Sequence, residues 1–219
     1  MTRHVLLLAL VLALPVPVAA QEETPVREEW SFGTLIAPGM LPDGATSPYG
    51  YVGAPEMGAG FRQGLAHFEI EARARLDYFR LAGIFDVGVR KAVVNQGPAT
   101  FAPTLSLGLV LNSGTAYLDA DNFGAVMVRI TPGLVVSWQV TETVAVLGLL
   151  DVPFDLGIDP VGARRFQALT GGGAELYLGS SITLLAAGQL GVENFEAPDV
   201  PARTRLGYQV RLGIGTRLF

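Results

Sequence analysis

From Ala66 to Tyr78 apolar and polar residues alternate without a miss. Phe68, Ile70, Ala72, Ala74, Leu76 and Tyr78 stand against His67, Glu69, Glu71, Arg73, Arg75 and Asp77. Period two over this length predicts a strand with one apolar and one charged face. A helix is the competing reading, because Glu69/Arg73 and Glu71/Arg75 stand four apart and the residues are good helix formers. The strand is preferred because the pattern recurs in β-rich sequence. Val126, Val128, Ile130, Pro132, Leu134, Val136, Trp138 and Val140 oppose Met127, Arg129, Thr131, Gly133, Val135, Ser137, Gln139 and Thr141, and no helical face can be drawn through that run. Pro132 removes one ladder donor, which calls for a bulge or a split at a Pro-Gly turn; the alternation keeps phase across it, so one long strand is preferred. The C-terminal run repeats the pattern, with Leu206, Tyr208, Val210, Leu212, Ile214 and Leu218 against Arg205, Gly207, Gln209, Arg211, Gly213, Gly215 and Arg217.

Extended along the chain, the pattern predicts strands at about 29–37, 50–62, 65–77, 79–93, 103–112, 124–140, 143–151, 166–178, 181–193 and 203–218. Between them lie tight turns such as Thr141-Glu142-Thr143 and Gly179-Ser180-Ser181, and longer loops at 38–49, 95–103, 151–165 and 194–203. The stretch from Thr115 to Asp121 is a candidate further strand. The expected fold is all-β: a single antiparallel up-and-down transmembrane barrel of about ten strands, with eight to twelve as the range. Phe68 and Tyr78 are ten residues apart on one face, about 33 Å along a strand, which projects to about 25 Å at a barrel's tilt and matches a membrane's apolar band.

Residues 1–20 read as a signal peptide. Arg3 and His4 precede an apolar run from Val5 to Leu14, Pro15 and Pro17 break it, and Val18-Ala19-Ala20 offers a cleavage site. Ten apolar residues make roughly 15 Å of helix, about half a bilayer core. Residues 21–219 then form the barrel domain, and their longest clean apolar stretch, Val144 to Leu150, is far too short to cross as a helix.

Composition sharpens this picture. Half of the 219 residues are apolar, only 16% are charged, and mean hydropathy is +0.40. An exported chain with so little charged surface needs an apolar solvent or an unusual core, and a closed barrel facing lipid supplies the first. The formal net charge of -5 leaves no basic surplus for a nucleic-acid partner. Cys is absent, which excludes disulfides, thiolate metal sites and Cys nucleophiles.

With a cleavable signal, no mature membrane helix, amphipathic strands and a last strand ending at Phe219, the chain resembles bacterial outer-membrane β-barrel proteins. The resemblance implies the outer membrane of a Gram-negative cell, contact with its lipid, and recognition by the barrel-assembly machinery. An assembly signal would then lie in Tyr208, Leu218 and Phe219, although the apolar positions run one residue out of phase with Phe219.

The alternation assigns two faces. Phe68, Ile70, Leu76, Tyr78, Val128, Ile130, Leu134, Val136, Trp138, Val210 and Leu212 would meet lipid. Glu69, Glu71, Arg73, Arg75, Arg80, Asp86, Arg129, Glu175 and Arg211 would form a charge network filling the lumen. No catalytic residue is assigned. His67 is the one His after residue 20 and lacks the Ser or Asp partner of a hydrolase. Gly171-Gly172-Gly173 has no phosphate-loop context, Asp151, Asp155 and Asp159 lack EF-hand spacing, and no cofactor or metal is expected. The expected function is a structural or narrow-pore role without catalysis. A soluble periplasmic or secreted barrel holding an apolar ligand inside is the alternative, and a barrel lipase or protease a further one. Which way the apolar face points separates the first two.

Overall fold

The computed structural model describes residues 35–37, 39–96, 98–179, 182–216 and 218. The expected signal peptide, residues 29–34 of the first expected strand, and Phe219 lie outside them. Twelve strands follow in order: β1 (Thr46–Ala54), β2 (Glu56–Leu65), β3 (Phe68–Asp77), β4 (Ala82–Arg90), β5 (Val94–Gln96), β6 (Ala99–Ser113), β7 (Gly124–Thr141), β8 (Val144–Asp151), β9 (Phe154–Asp159), β10 (Arg164–Leu178), β11 (Ile182–Ala197) and β12 (Val200–Thr216). All pairings are antiparallel, and β1 pairs with β12, so the sheet closes on itself.

The closed ring has ten staves. β8 and β9 are one stave interrupted at Val152-Pro153, since both lie between β7 and β10. β5 prolongs β4 along β6: Lys91 and Val93 donate to the carbonyls of Pro103 and Phe101, and the register then slips by one residue. A walk through register partners measures the stagger. It runs from Tyr49 through Gly60, Arg73, Asp86, Gly108, Arg129, Asp155, Arg165 and Phe195 to Arg203. Tyr49 itself pairs with Gly215, twelve residues from Arg203 on β12. Ten staves with that shear tilt by about 40° and enclose a radius of about 10 Å.

The chain's punctuation explains where expectation and structure part. The expected strand 50–62 is two strands, because Pro55 has no N–H to continue a ladder and the chain reverses there. Residues 35–37, placed in a first strand, belong to no strand, so the expected count of ten stands through two offsetting differences. The expected loops 95–103, 151–165 and 194–203 are mostly strand, and 115–121 is not a strand but part of the longest loop, 114–123. β7 is continuous, with Pro132 opposite Leu105 in unbroken register.

Both ends of the β1–β12 ring, at Thr46 and Thr216, lie at one rim, here end B, where β2–β3, β5–β6, β7–β8 and β10–β11 connect in two or three residues. The opposite rim, end A, carries the turn at Pro55 and the connections 78–81, 114–123, 160–163 and 198–199.

Candidate functional site

Each strand points alternate residues outward and inward, so ten staves bring distant charges into one lumen. On the outer face Phe68, Ile70, Leu76, Val128, Ile130, Val136, Trp138, Val210 and Leu212 are exposed, while Tyr78 and Leu134 are part-covered. Among the described strand residues of the outward face the charged side chains are Arg164 and Glu196, paired with each other at 2.5 Å at end A, and Lys91 is exposed on the same face between β4 and β5, towards end B. Exposed aromatics gather towards both rims, with Phe68, Phe101 and Trp138 near end B and Phe154 and Tyr208 near end A.

Inside, the charges stack in tiers. In the middle tier the register walk places Arg73, Asp86, Arg129, Asp155 and Arg165 along one rung, with Gly108 standing between Asp86 and Arg129. Arg129 holds Asp155 through two bonds of 2.6 and 2.7 Å, and Arg75 bridges Asp86 at 2.7 Å and Glu56 at 3.1 Å. Arg73 is held loosely, 3.5 Å from Asp86. Gln209 donates to Glu56, and Arg211 donates to Gln189 and Gln209 and lies 3.6 Å from Asp151. Opposite charges facing each other across neighbouring strands are the pairing a sheet favours.

At end B, Arg62 grips Glu69 at 2.7 and 2.8 Å with both side chains fully buried, Arg90 stands 3.5 Å from Glu71, and Tyr49 donates to Glu71. Glu175 does something else. Its Oε1 accepts the backbone N–H groups of Ile36 at 2.5 Å and Ala37 at 3.1 Å. Those residues belong to a strap, 35–42, that crosses the lumen mouth. Gly39 donates to Ser137 Oγ at 3.1 Å, Leu41 donates to Glu69 at 2.8 Å, and Arg90 donates to the Ile36 carbonyl at 3.0 Å. Leu35, Ile36 and Ala37 pack on the inward apolar residues Val135, Leu147, Leu149 and Leu185. The wall makes room with glycine: a Cβ on Gly213 would sit 2.3 Å from Leu35, and one on Gly64 would sit 1.9 Å from the Pro42 carbonyl oxygen.

End A is closed by side chains. Arg80 bonds Asp119 at 2.8 Å and Glu193 at 2.8 Å, and Arg205 bonds the same two carboxylates at 2.5 and 2.8 Å, which makes a four-membered ring of alternating charge. Asp77 adds a fifth group, on Arg80 at 2.9 Å, and Arg165 a sixth, 3.2 Å from Glu193. Burial alone would raise the Asp119 carboxyl, but the bonds from Arg205 and Arg80 hold it well below its usual range. Beside the ring Phe123, Met127, Phe195, Ile84 and Val110 form an apolar cluster, with Phe123 and Phe195 stacked at 6.2 Å and the Arg205 guanidinium 4.6 Å over the Phe195 ring. Between the two closures lie cavities of about 50 Å³ each, both bordered by Arg73, Thr131, Asp151 and Arg211. Such volumes hold a few waters at most.

The nine charges singled out in the sequence all point inward, and they fall into separate groups: Glu69 and Glu71 lie at end B, Arg73, Arg75, Asp86, Arg129 and Arg211 in the middle, Arg80 at end A, and Glu175, on β10, against the strap. Glu56, Arg62, Asp119, Asp155, Glu193 and Arg205 were missed. Asp155 had been read as loop, and the misplaced strand 50–62 hid the phase of Glu56 and Arg62. His67 is exposed in the β2–β3 turn. Among the described residues no three His, Asp or Glu side chains gather as a metal site.

Closure, ten tilted staves, an apolar exterior and a charged interior define the architecture of an outer-membrane β-barrel protein. Among solved structures the chain is similar to the KdgM porin (10% identity, TM-score 0.44, covering 80% of this chain and 98% of that one). It is similar also to the KdgM porin in complex with disordered oligogalacturonate (9%, 0.44, 80% and 98%) and to the NanC porin (12%, 0.41, 80% and 99%). No family model and no curated protein matches the chain.

Proposed function

We propose that this chain is a barrel of the Gram-negative outer membrane whose lumen is filled, with a structural or at most narrow-pore role and no catalysis. One observation carries the reading: the outer face is apolar between the rims, its charges Lys91, Arg164 and Glu196 lying towards the ends, while the other strand charges turn inward. A soluble barrel would have the faces reversed, which disfavours the alternative of an apolar ligand held inside. On β11 the exposed run from Ile182 to Val192 rises about 33 Å along the strand and about 25 Å along the axis, the height of an outer-membrane barrel's apolar band. Phe68, Ile70, Leu76, Tyr78, Val128, Ile130, Leu134, Val136, Trp138, Val210 and Leu212 are its lipid contacts in this reading. Tyr208, Leu218 and Phe219 are its contacts with the assembly machinery.

The strap supports closure at end B, and the ion ring with its apolar cluster supports closure at end A. End B, with its short turns, faces the periplasm and end A the outside. The experiment is expression in a Gram-negative host followed by membrane fractionation. The protein should stay with the outer membrane through a high-salt wash; release by salt alone would contradict the reading. Leu134→Arg, on the outward face midway along β7, should then cost about 2–4 kcal/mol of folding stability in lipid, as charge does near the midplane.

A further inference from the structure

The barrel has an incomplete seam. β12 pairs with β1 only from Gly215 to Val210, where β1 ends at Ala54. From Gln209 up to Val200 it continues towards end A paired with β11 alone. The loop 114–123 stands across the gap, tied to the 78–81 connection by the bond from Leu118 N–H to the Phe79 carbonyl at 3.2 Å. Its ties to β12 are ion pairs: Asp119 to Arg205, and Asp121 to Arg203 at 2.8 Å. Side chains therefore close the wall where ladder hydrogen bonds stop.

A recess of about 320 Å³ lies in this gap, at the lower end of the range for small-ligand sites. Its lining is divided. Leu118 and Leu206, 57% and 67% exposed, and the Phe79 and Tyr208 rings 6.5 Å apart, form lips continuous with the apolar exterior. Arg80, Asp119, Glu193 and Arg205, the ion ring, form the inner wall. Pro55, Arg80, Gln167 and Tyr208 line both this recess and the end-A cavity of the lumen, so the two spaces adjoin.

We propose that this seam is a lateral portal that takes a single-chain amphiphile with a polar head of no net charge, latched by the Arg80–Asp119–Arg205–Glu193 ring. The apolar lips suit the chain. The ring with its flanking Asp77 and Arg165 holds three guanidinium groups and three carboxylates, so it suits a head of both signs or of neither, and a net-charged head would lose on one pair what it gained on the other. The inference rests on the outer-membrane reading above, because only a lipid-facing lip makes the gap a portal.

The chain has no Cys, so single thiols report cleanly. Leu206→Cys, Gln167→Cys and Ser106→Cys place one on the lip, behind the lip and in the mid-lumen. Each variant is folded into phosphatidylcholine vesicles and reacted with a single-chain lipid whose polar head carries a maleimide. Leu206→Cys and Gln167→Cys should label and Ser106→Cys should not. Lysophosphatidylcholine should slow labelling at 167 more than lysophosphatidylglycerol does. Adding Asp119→Asn should speed labelling at 167 about tenfold, the factor that follows from losing one charged hydrogen bond of ordinary strength. If Leu206→Cys does not label, the outer-membrane reading itself fails. If it labels and Gln167→Cys does not, even with Asp119→Asn, the portal is overturned. Equal protection by the two lysolipids overturns the uncharged head.

Discussion

The two ends of this barrel are stopped by different materials. At end B the stopper is main chain, the strap 35–42, whose N–H groups end on carboxylates fixed in the wall at Glu175 and Glu69. At end A it is a ring of four side chains, each holding at least two partners of opposite charge. A buried N–H has one acceptor or none, so a single truncation in the wall is felt in full. A ring in which every charge is shared loses one member and keeps the rest paired. End B should therefore fail sharply and end A by degrees.

Arg62→Ala makes the strongest test of that contrast. It leaves Glu69, fully buried and holding Leu41 N–H, without its bidentate partner, and should cost about 3–5 kcal/mol. Arg205→Gln at end A should cost less, about 1.5–3 kcal/mol, because Arg80 still holds both Asp119 and Glu193. Urea midpoints in lipid vesicles measure both, and equal losses would break the distinction. Glu175→Ala should orphan the Ile36 and Ala37 donors at about 1–3 kcal/mol each. Its signature is release of the strap, read as protease cleavage within 35–42 while the barrel stays protected. Strap cleavage at the wild-type rate would show that Glu175 is not its clasp.

A smaller effect concerns acid. The Asp119 carboxyl is held below its usual value, so its contribution is present above that value and is lost only as pH falls through the depressed one. Lowering pH from 7 to about 4 should leave the loop 114–123 docked in the wild type, and in Arg205→Gln the undocking should move to milder acid. Carboxyl titration by NMR checks this, and identical profiles would remove Arg205 as the cause.

The same contrast marks what was legible in the sequence. Alternation through Phe68–Tyr78, Val126–Val140 and Leu206–Ile214 exposed the barrel and its two faces, because every stave repeats one rule. The strap, Leu35 to Leu41, has no period, and nothing in its residues tells a plug from a linker. Glu175 occupies an inward position like any lumen charge, so its bond to main chain rather than to Arg depends on the strap's path. Asp155 alternates correctly in Phe154–Asp159, but Pro153 made the segment read as loop. Asp119 lies in a loop, where period says nothing, and only the register of β11 and β12 brings Glu193 and Arg205 to it.

Planar-bilayer recording tests the filled lumen most directly. The unmodified protein should give small single-channel steps or none. Deletion of residues 21–41 should open end B and raise conductance, and adding Arg73→Ala with Arg75→Ala should raise it further and favour cations, since Glu56 and Asp86 then lose a partner. Wide, porin-like steps from the unmodified chain would contradict the sealed barrel.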